Sequence, residues 1–344
     1  MKKTILVTGG LGFIGSNICE YYLKKGYNVV ALDNMSRKGV EINLKRLKLN
    51  KNFSFIKEDI RNQKGVEQII KKISKNNNLE VLFHEAAQVA VTTSIKNPRE
   101  DFEINVLGTI NILESLRQFS PKTILIYAST NKVYGALEEY EIVEKETRYE
   151  FKNKKLKFGI SENQNLDFYS PYGCSKGSAD QYVRDYARIY GLKTIVFRQS
   201  CIYGPGQIGV EDQGWVAWFA IRALKDEPIT IFGTGKQVRD LLFIDDLIKA
   251  YDLAIKNIKK TSGQIYNIGG GYKNAVSLLE LIEFLEKYLS KKIKLYFSKP
   301  RPGDQKIFIS NNSKAKKDFN WEPKVDYKKG VPLLIEWLKS NITQ

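Results

Sequence analysis

The chain has 344 residues, 42% apolar and 27% charged, a balance that suits a globular fold with a substantial core and excludes a disordered or fibrous one. No apolar run approaches the length of a membrane span, and Ile5-Leu6-Val7 behind Lys2-Lys3 is too short for a signal peptide, so it reads as a first strand. The net charge of +17 would suit nucleic acid or an anionic small molecule, but the lysines are scattered among Asn and Ile with no binding motif, which argues against nucleic acid.

Taken in order, the strand Thr4 to Thr8 leads into Gly9-Gly10-Leu11-Gly12-Phe13-Ile14-Gly15, a helical pattern to about Lys25 and a second strand, Asn28 to Leu32, that ends at Asp33. A glycine-rich turn between strand and helix brings backbone close to a pyrophosphate and aims a helix N-terminus at it. Asp33, 18 residues after Gly15, stands where a carboxylate takes ribose hydroxyls and repels a 2′-phosphate, which favours NAD over NADP, with nearby Arg37 as the competing influence.

Apolar strands then alternate with amphipathic helices at Phe53 to Lys57, Leu79 to His84, Thr123 to Ala128 and Thr194 to Arg198. This predicts an α/β fold with a doubly wound parallel sheet of the Rossmann type, whose strand ends gather ligands. Those ends carry Asp33, Asp59, Ala86-Ala87-Gln88, Ser129-Thr130-Asn131 and Gln199-Ser200-Cys201. The single histidine, His84, rules out a multi-histidine metal site and is read as a core residue; no metal is expected. Cys19, Cys174 and Cys201 form no C-x-x-C pair and fit a reducing cytoplasm.

A charged, lysine-rich insertion, Glu138 to Asp167, reads as a solvated surface loop or as a cover beside the segment that follows. That segment opens with Ser170-Pro171-Tyr172-Gly173-Cys174-Ser175-Lys176 and runs as a helix to about Tyr190. Tyr172 and Lys176, four apart, share one helix face, and a cation held near a phenol favours the phenolate, so Tyr172 is a candidate general base whose pKa Lys176 should lower. After Gly204-Pro205-Gly206-Gln207 the character changes. Residues 1–203, with a return segment near 236–270, are expected to form the dinucleotide-binding domain, and 204–344 mainly a smaller α/β substrate lobe.

With these motifs in this order, the chain resembles the extended short-chain dehydrogenase/reductase family, specifically its nucleotide-sugar epimerases and dehydratases. The likeness rests on Thr8 to Gly15, Asp33-Asn34, Asp59-Ile60, His84-Glu85-Ala86-Ala87, Asn105 to Thr109, Ser129-Thr130, Val133-Tyr134-Gly135, Tyr172 with Lys176, Tyr203-Gly204-Pro205, Arg239-Asp240 and Arg301 to Asp304. It implies NAD as a tightly held cofactor, Tyr172 as proton acceptor, Lys176 on the nicotinamide ribose and Thr130 as hydroxyl partner of the sugar. The cofactor set it implies is Gly9, Gly12, Phe13, Ile14, Gly15, Asp33, Asn34, Ser36, Arg37, Asp59, Ile60, Ala86, Ala87, Gln88, Asn105 and Ser129, with Tyr172 and Lys176. The substrate set is Thr130, Asn131, Gln88, Cys201, Gln207, Arg239 and Arg301, the two arginines on the diphosphate.

The reaction so implied is epimerisation of a nucleotide-diphosphate sugar by transient oxidation and hydride return, at C2 of a CDP-6-deoxy or 3,6-dideoxy hexose. The alternatives are a 4-epimerase, a 4,6-dehydratase or a non-catalytic NAD-binding sensor. Dehydratases of the family carry Asp-Glu after the threonine, and Asn131-Lys132 replace that acid and base here. Glu85 stands where relatives have an apolar residue, and Cys201 where many have asparagine. Family likeness also implies a homodimer or homotetramer built on helices near Asp101 to Gln118 and Lys176 to Tyr190, with no nucleic acid or membrane partner.

Overall fold

A computed structural model describes residues 2–75 and 78–342. In chain order the strands are β1 Thr4–Thr8, β2 Asn28–Asp33, β3 Phe53–Lys57, β4 Leu79–His84, β5 Ile124–Thr130, β6 Ile142–Glu144, β7 Tyr149–Phe151, β8 Lys193–Gln199, β9 Cys201–Tyr203, β10 Ile229–Phe232, β11 Val238–Phe243, β12 Gln264–Ile268, β13 Ala275–Ser277, β14 Leu295–Ser298 and β15 Ile307–Phe308.

Seven of them form the main sheet in the order β12-β8-β5-β4-β1-β2-β3. The pairs β1–β2, β1–β4, β2–β3 and β4–β5 all run parallel. Strand β1 is buried along its full length, as the continuous apolar run of a sheet covered on both faces requires. The order reverses between β1 and β4, so the crevice at a doubly wound sheet's switch point opens at the ends of these two strands, where Thr8 and His84 stand opposite each other.

The chain divides into two compact units. The first comprises 1–130, 171–198 and 248–266, and its core joins Leu6, Leu82 and Leu125 of the sheet to Ile112, Leu116 and Val183 of the flanking helices. Each such side chain contributes about 1.5–3 kcal/mol by leaving water. The second comprises 131–170, 199–247 and 267–344, with β11 at the centre of a sheet that includes β9, β13 and β15, a parallel pair β10–β14 and the hairpin β6–β7.

Residues 131–170 group with the second unit, where the expected first domain ran through 1–203, and 248–266, inside the expected return segment near 236–270, groups with the first. The insertion is mostly exposed, as a solvated segment would be, but it is not a plain loop: it holds the β6–β7 hairpin and a short 3-10 helix, Lys154–Phe158. Tyr149 and Ile160 are buried, with their amides donating to Lys236 O at 2.9 Å and Ile309 O at 2.7 Å. A few apolar residues in a lysine-rich run were enough to dock it. Among the described residues, no helix is long and apolar enough to cross a membrane.

Candidate active site

The glycine loop after β1 is built by close packing. A Cβ on Gly15 would lie 2.2 Å from the Gly9 carbonyl oxygen, and one on Gly10 would lie 2.6 Å from Ala31 Cβ. Gly9 itself has φ of 64°, in the left-handed region. The helix Phe13–Lys24 starts behind Gly12 with no side-chain cap and no acidic residue in its first turn, so its N–H groups and positive dipole end suit an anion.

Asp33 ends β2 beside this loop. Its carboxylate accepts from Leu11 N at 3.1 Å and Met35 N at 2.8 Å; burial raises its pKa, while these two amides and Arg37 oppose that. Each oxygen keeps a lone pair for a ribose hydroxyl. Asn34 reaches Asp59 Oδ2 at 2.9 Å and caps Ser36 N through Oδ1 at 3.0 Å, and Arg61 grips the same Asp59 carboxylate with Nε and Nη2 at 3.0 and 2.8 Å. These contacts hold the Asp59 pKa at about 2, with the Arg61 hydrogen bond as the main cause. Glycine cradle, uncapped helix end and ribose-facing acid together fit a dinucleotide.

Across the switch point, the His84 tautomer follows from hydrogen counting. Thr109 Oγ1 donates to Asn105 O at 2.6 Å, so it accepts from His84 Nε2 at 3.0 Å; Nδ1 then accepts from Thr8 Oγ1 at 2.7 Å. Burial pushes the ring's pKa down to about 3, so His84 is a neutral strut between β1, β4 and the helix Gly108–Phe119.

The helix Ser170–Tyr190 presents Tyr172 and Lys176 one turn apart, both buried. Burial pushes the Tyr172 phenol up to about 12; a hydrogen bond with Thr130 and the charge of Arg37 pull it down, while Asp101 raises it. Lys176 does not take the expected part in lowering this pKa, because its Nζ stands over the Tyr127 ring, 4.3 Å from the centroid. Burial lowers the ammonium's own pKa to about 8.

Sequence reasoning missed what holds this helix. Asp101, 1% exposed, accepts from Ser175 Oγ, from Gln88 Nε2 at 2.8 Å and from Asn105 Nδ2 at 3.2 Å; Asn105 Nδ2 also reaches Ser175 Oγ at 3.0 Å, and Ser94 Oγ accepts the Tyr172 amide at 3.1 Å. Asn105 lies in a π-helical turn, Glu103–Leu107, a local irregularity that often marks functional sites. The i, i+4 spacing of Asp101 and Asn105 was the one available sign; their partner Ser175 lies 74 and 70 residues on. Gln88 differs from expectation, since both its amide hydrogens serve Ala90 O and Asp101 and its oxygen accepts from Ala90 N. The Ser129 hydroxyl likewise donates to Asp180, whose carboxylate is held bidentate by Arg198 at 2.8 and 3.0 Å. The Ser129 hydroxyl and the Gln88 amide nitrogen have thus given their hydrogens to protein partners, while both side-chain oxygens keep acceptor capacity.

In the second unit, Lys132 donates to Gly303 O at 3.1 Å and lies 3.6 Å from Asp304, which Arg239 also pairs at 2.6 Å. Burial would raise the Asp304 carboxyl, but Arg239 and Lys132 hold it below the usual range, and burial lowers the Lys132 ammonium to about 8. Arg301 does not join Arg239 on this acid; it pairs Asp212 at 3.0 Å and stacks on Phe232 at 3.8 Å. Asn131 Nδ2 donates to Gln305 Oε1 at 3.1 Å, Gln207 Nε2 donates to Ile202 O at 3.1 Å, and Trp215 Nε1 donates to Cys201 Sγ at 3.4 Å.

The fold and these residues define a nucleotide-sugar enzyme of the short-chain dehydrogenase/reductase type, and the comparisons agree. A family described as GDP-mannose 4,6 dehydratase matches residues 6–334, and the chain belongs to this extended short-chain dehydrogenase/reductase family. The chain is 46% identical to the CDP-paratose 2-epimerase of Salmonella typhi over 341 residues, covering 98% of this chain and 99% of that protein. Among solved structures it resembles the UDP-glucuronic acid 4-epimerase of Bacillus cereus in complex with UDP-glucuronic acid and NAD, with a TM-score of 0.83, 31% identity and coverage of 98% and 99%. The UDP-glucose 4-epimerase of Thermus thermophilus in complex with NAD is similar too, with a TM-score of 0.82, 31% identity and coverage of 98% and 100%.

Proposed function

We propose that the chain is an NAD-dependent epimerase of a nucleoside-diphosphate sugar, acting at C2 of a CDP-6-deoxy or 3,6-dideoxy hexose in the manner of CDP-paratose to CDP-tyvelose. The observation that carries this reading is the 46% identity over nearly the full length to a CDP-paratose 2-epimerase, joined to a Thr130, Tyr172 and Lys176 set in the first unit. NAD, held by the glycine loop, Asp33 and Lys176, supplies the hydride acceptor and later the hydride donor.

Tyr172 as phenolate takes the hydroxyl proton as the carbon becomes a ketone, and gives it back when the carbon is reduced from the other face. Thr130 stabilises that phenolate and orients the hydroxyl. Lys132 and Asn131 offer no carboxyl after Thr130, which supports epimerisation over dehydration; Arg239 and Arg301 would serve the diphosphate.

The test runs the purified enzyme on CDP-paratose in deuterated water. Product without deuterium at C2 is expected; deuterium at C2 would overturn hydride return, and a 4-keto-6-deoxy product from a CDP-hexose would make the enzyme a dehydratase. We also propose a homodimer or homotetramer, supported by Leu107, Tyr182, Ile189 and Tyr190, which the helices offer to solvent. A reducing cytoplasm suits the three free cysteines.

A further inference from the structure

One buried carboxylate stands behind Tyr172. Asp101, on the helix Pro98–Phe102, is held by three neutral donors: Oδ2 accepts from Ser175 Oγ at 2.5 Å, and Oδ1 from Gln88 Nε2 at 2.8 Å and Asn105 Nδ2 at 3.2 Å. Burial raises this carboxyl's pKa, and the bonds from Ser175 and Gln88 oppose the rise. A carboxylate only accepts, so all three donors can aim a hydrogen at it.

From Asp101 two routes lead to the main chain of Tyr172. On one side, the Gln88 side chain that Asp101 anchors clasps Ala90, accepting from its N–H at 2.5 Å and donating to its carbonyl at 2.9 Å. Ala90 precedes the helix Val91–Lys96, where Ser94 N donates to Ala90 O at 3.1 Å and Ser94 Oγ accepts the Tyr172 amide at 3.1 Å. That amide lies in the first turn of its helix, where no intrahelical acceptor exists, so Ser94 is what satisfies it. On the other side, the Ser175 hydroxyl has one hydrogen and two acceptors in reach, Asp101 Oδ2 at 2.5 Å and the Tyr172 carbonyl at 3.2 Å. The nearer, charged acceptor takes it, which keeps Ser175 from back-bonding to the Tyr172 carbonyl in the way that bends helices.

We propose that Asp101 is a positioning residue for the reaction proposed above: by taking the Ser175 hydrogen and anchoring the Gln88–Ser94 segment, it fixes the first turn of the helix and with it the place of the Tyr172 phenol. The role rests on the reading of Tyr172 as proton acceptor. Proton transfer needs hydrogen-bond distance in the transition state, so an error of placement falls on kcat. Asparagine at 101 keeps the shape but turns one acceptor into a donor, and either orientation of the amide breaks one route. With its NH2 toward Ser175, the serine hydrogen turns to the Tyr172 carbonyl; with its NH2 toward Gln88, donor meets donor.

The test is amide hydrogen exchange at Tyr172 in the full chain, with Ser94→Ala marking the rate of an amide that has lost its acceptor. In Asp101→Asn the Tyr172 amide should exchange at least about tenfold faster, while Val183 and Tyr186 further along the helix keep their protection. With CDP-paratose, kcat should fall by about ten- to a hundredfold while KM stays near wild type. Ser175→Ala, which removes one route, should move both readouts the same way by less, and it serves if the asparagine variant does not fold. A folded variant with wild-type exchange at Tyr172, or with faster exchange and unchanged kcat, overturns the proposal. Exchange is read without sugar, so a failure here is distinct from a failure of the epimerase assignment, in which the wild-type chain itself would not turn over CDP-paratose.

Discussion

Tyr172 shows how one side chain's chemistry depends on contacts that differ from the apparent ones. The i, i+4 lysine suggested a phenol activated by its helix neighbour, yet the groups that counter its burial are Thr130 and Arg37. Two outcomes follow. Tyr172→Phe removes the proton acceptor and should abolish nearly all epimerisation while dinucleotide content and fold stay intact; turnover near wild type would refute its role. Thr130→Val removes a hydrogen bond that favours the charged phenolate, so the Tyr172 pKa rises further and turnover should need more alkaline solution. Each unit of that rise costs about tenfold at a given pH below it. A pH–rate profile that keeps its midpoint would show that Thr130 acts on the sugar alone.

At the level of elements, the helix Ser170–Tyr190 is placed by polar contacts on successive turns of the first half of its buried face. Ser175 joins Asp101 and Asn105 near its start, and Asp180 joins Ser129 of β5 and Arg198 of β8 one turn further on. The Asp180–Arg198 pair is 0% and 3% exposed at its side chains. Arg198→Met would strand a buried carboxylate, and denaturant unfolding should record a loss of about 3–5 kcal/mol. Asp180→Leu combined with Arg198→Met should recover most of it, because no unpaired charge remains; no recovery would mean that the pair sets the helix position rather than balancing charge. His84, by contrast, links the central strands β1 and β4 as a neutral group, so acid should unsettle this part of the sheet only near the low pH at which the ring protonates.

For the whole molecule, the proposed cofactor reading makes the balance between Asp33 and Arg37 the choice between the two dinucleotides. Purified protein should release NAD(H) on denaturation, measured by mass spectrometry, and mainly NADP(H) would mean that Arg37 outweighs the carboxylate. The order strand, glycine loop, helix, strand and Asp33 was legible in the sequence because each part rests on short-range rules: alternation, helix periodicity and the steric need for glycine at positions such as Gly15. The parallel sheet was legible for the same reason, and so was the shared face of Tyr172 and Lys176. Tertiary structure alone decided the grouping of 131–170 with the second unit, the engagement of Gln88 and Ser129 by Asp101 and Asp180, and the meeting of Glu85 with Tyr251 across 166 positions. Those outcomes turn on desolvation and on pairs far apart in the chain, and neither quantity is defined until the fold has chosen which residues exclude water from which.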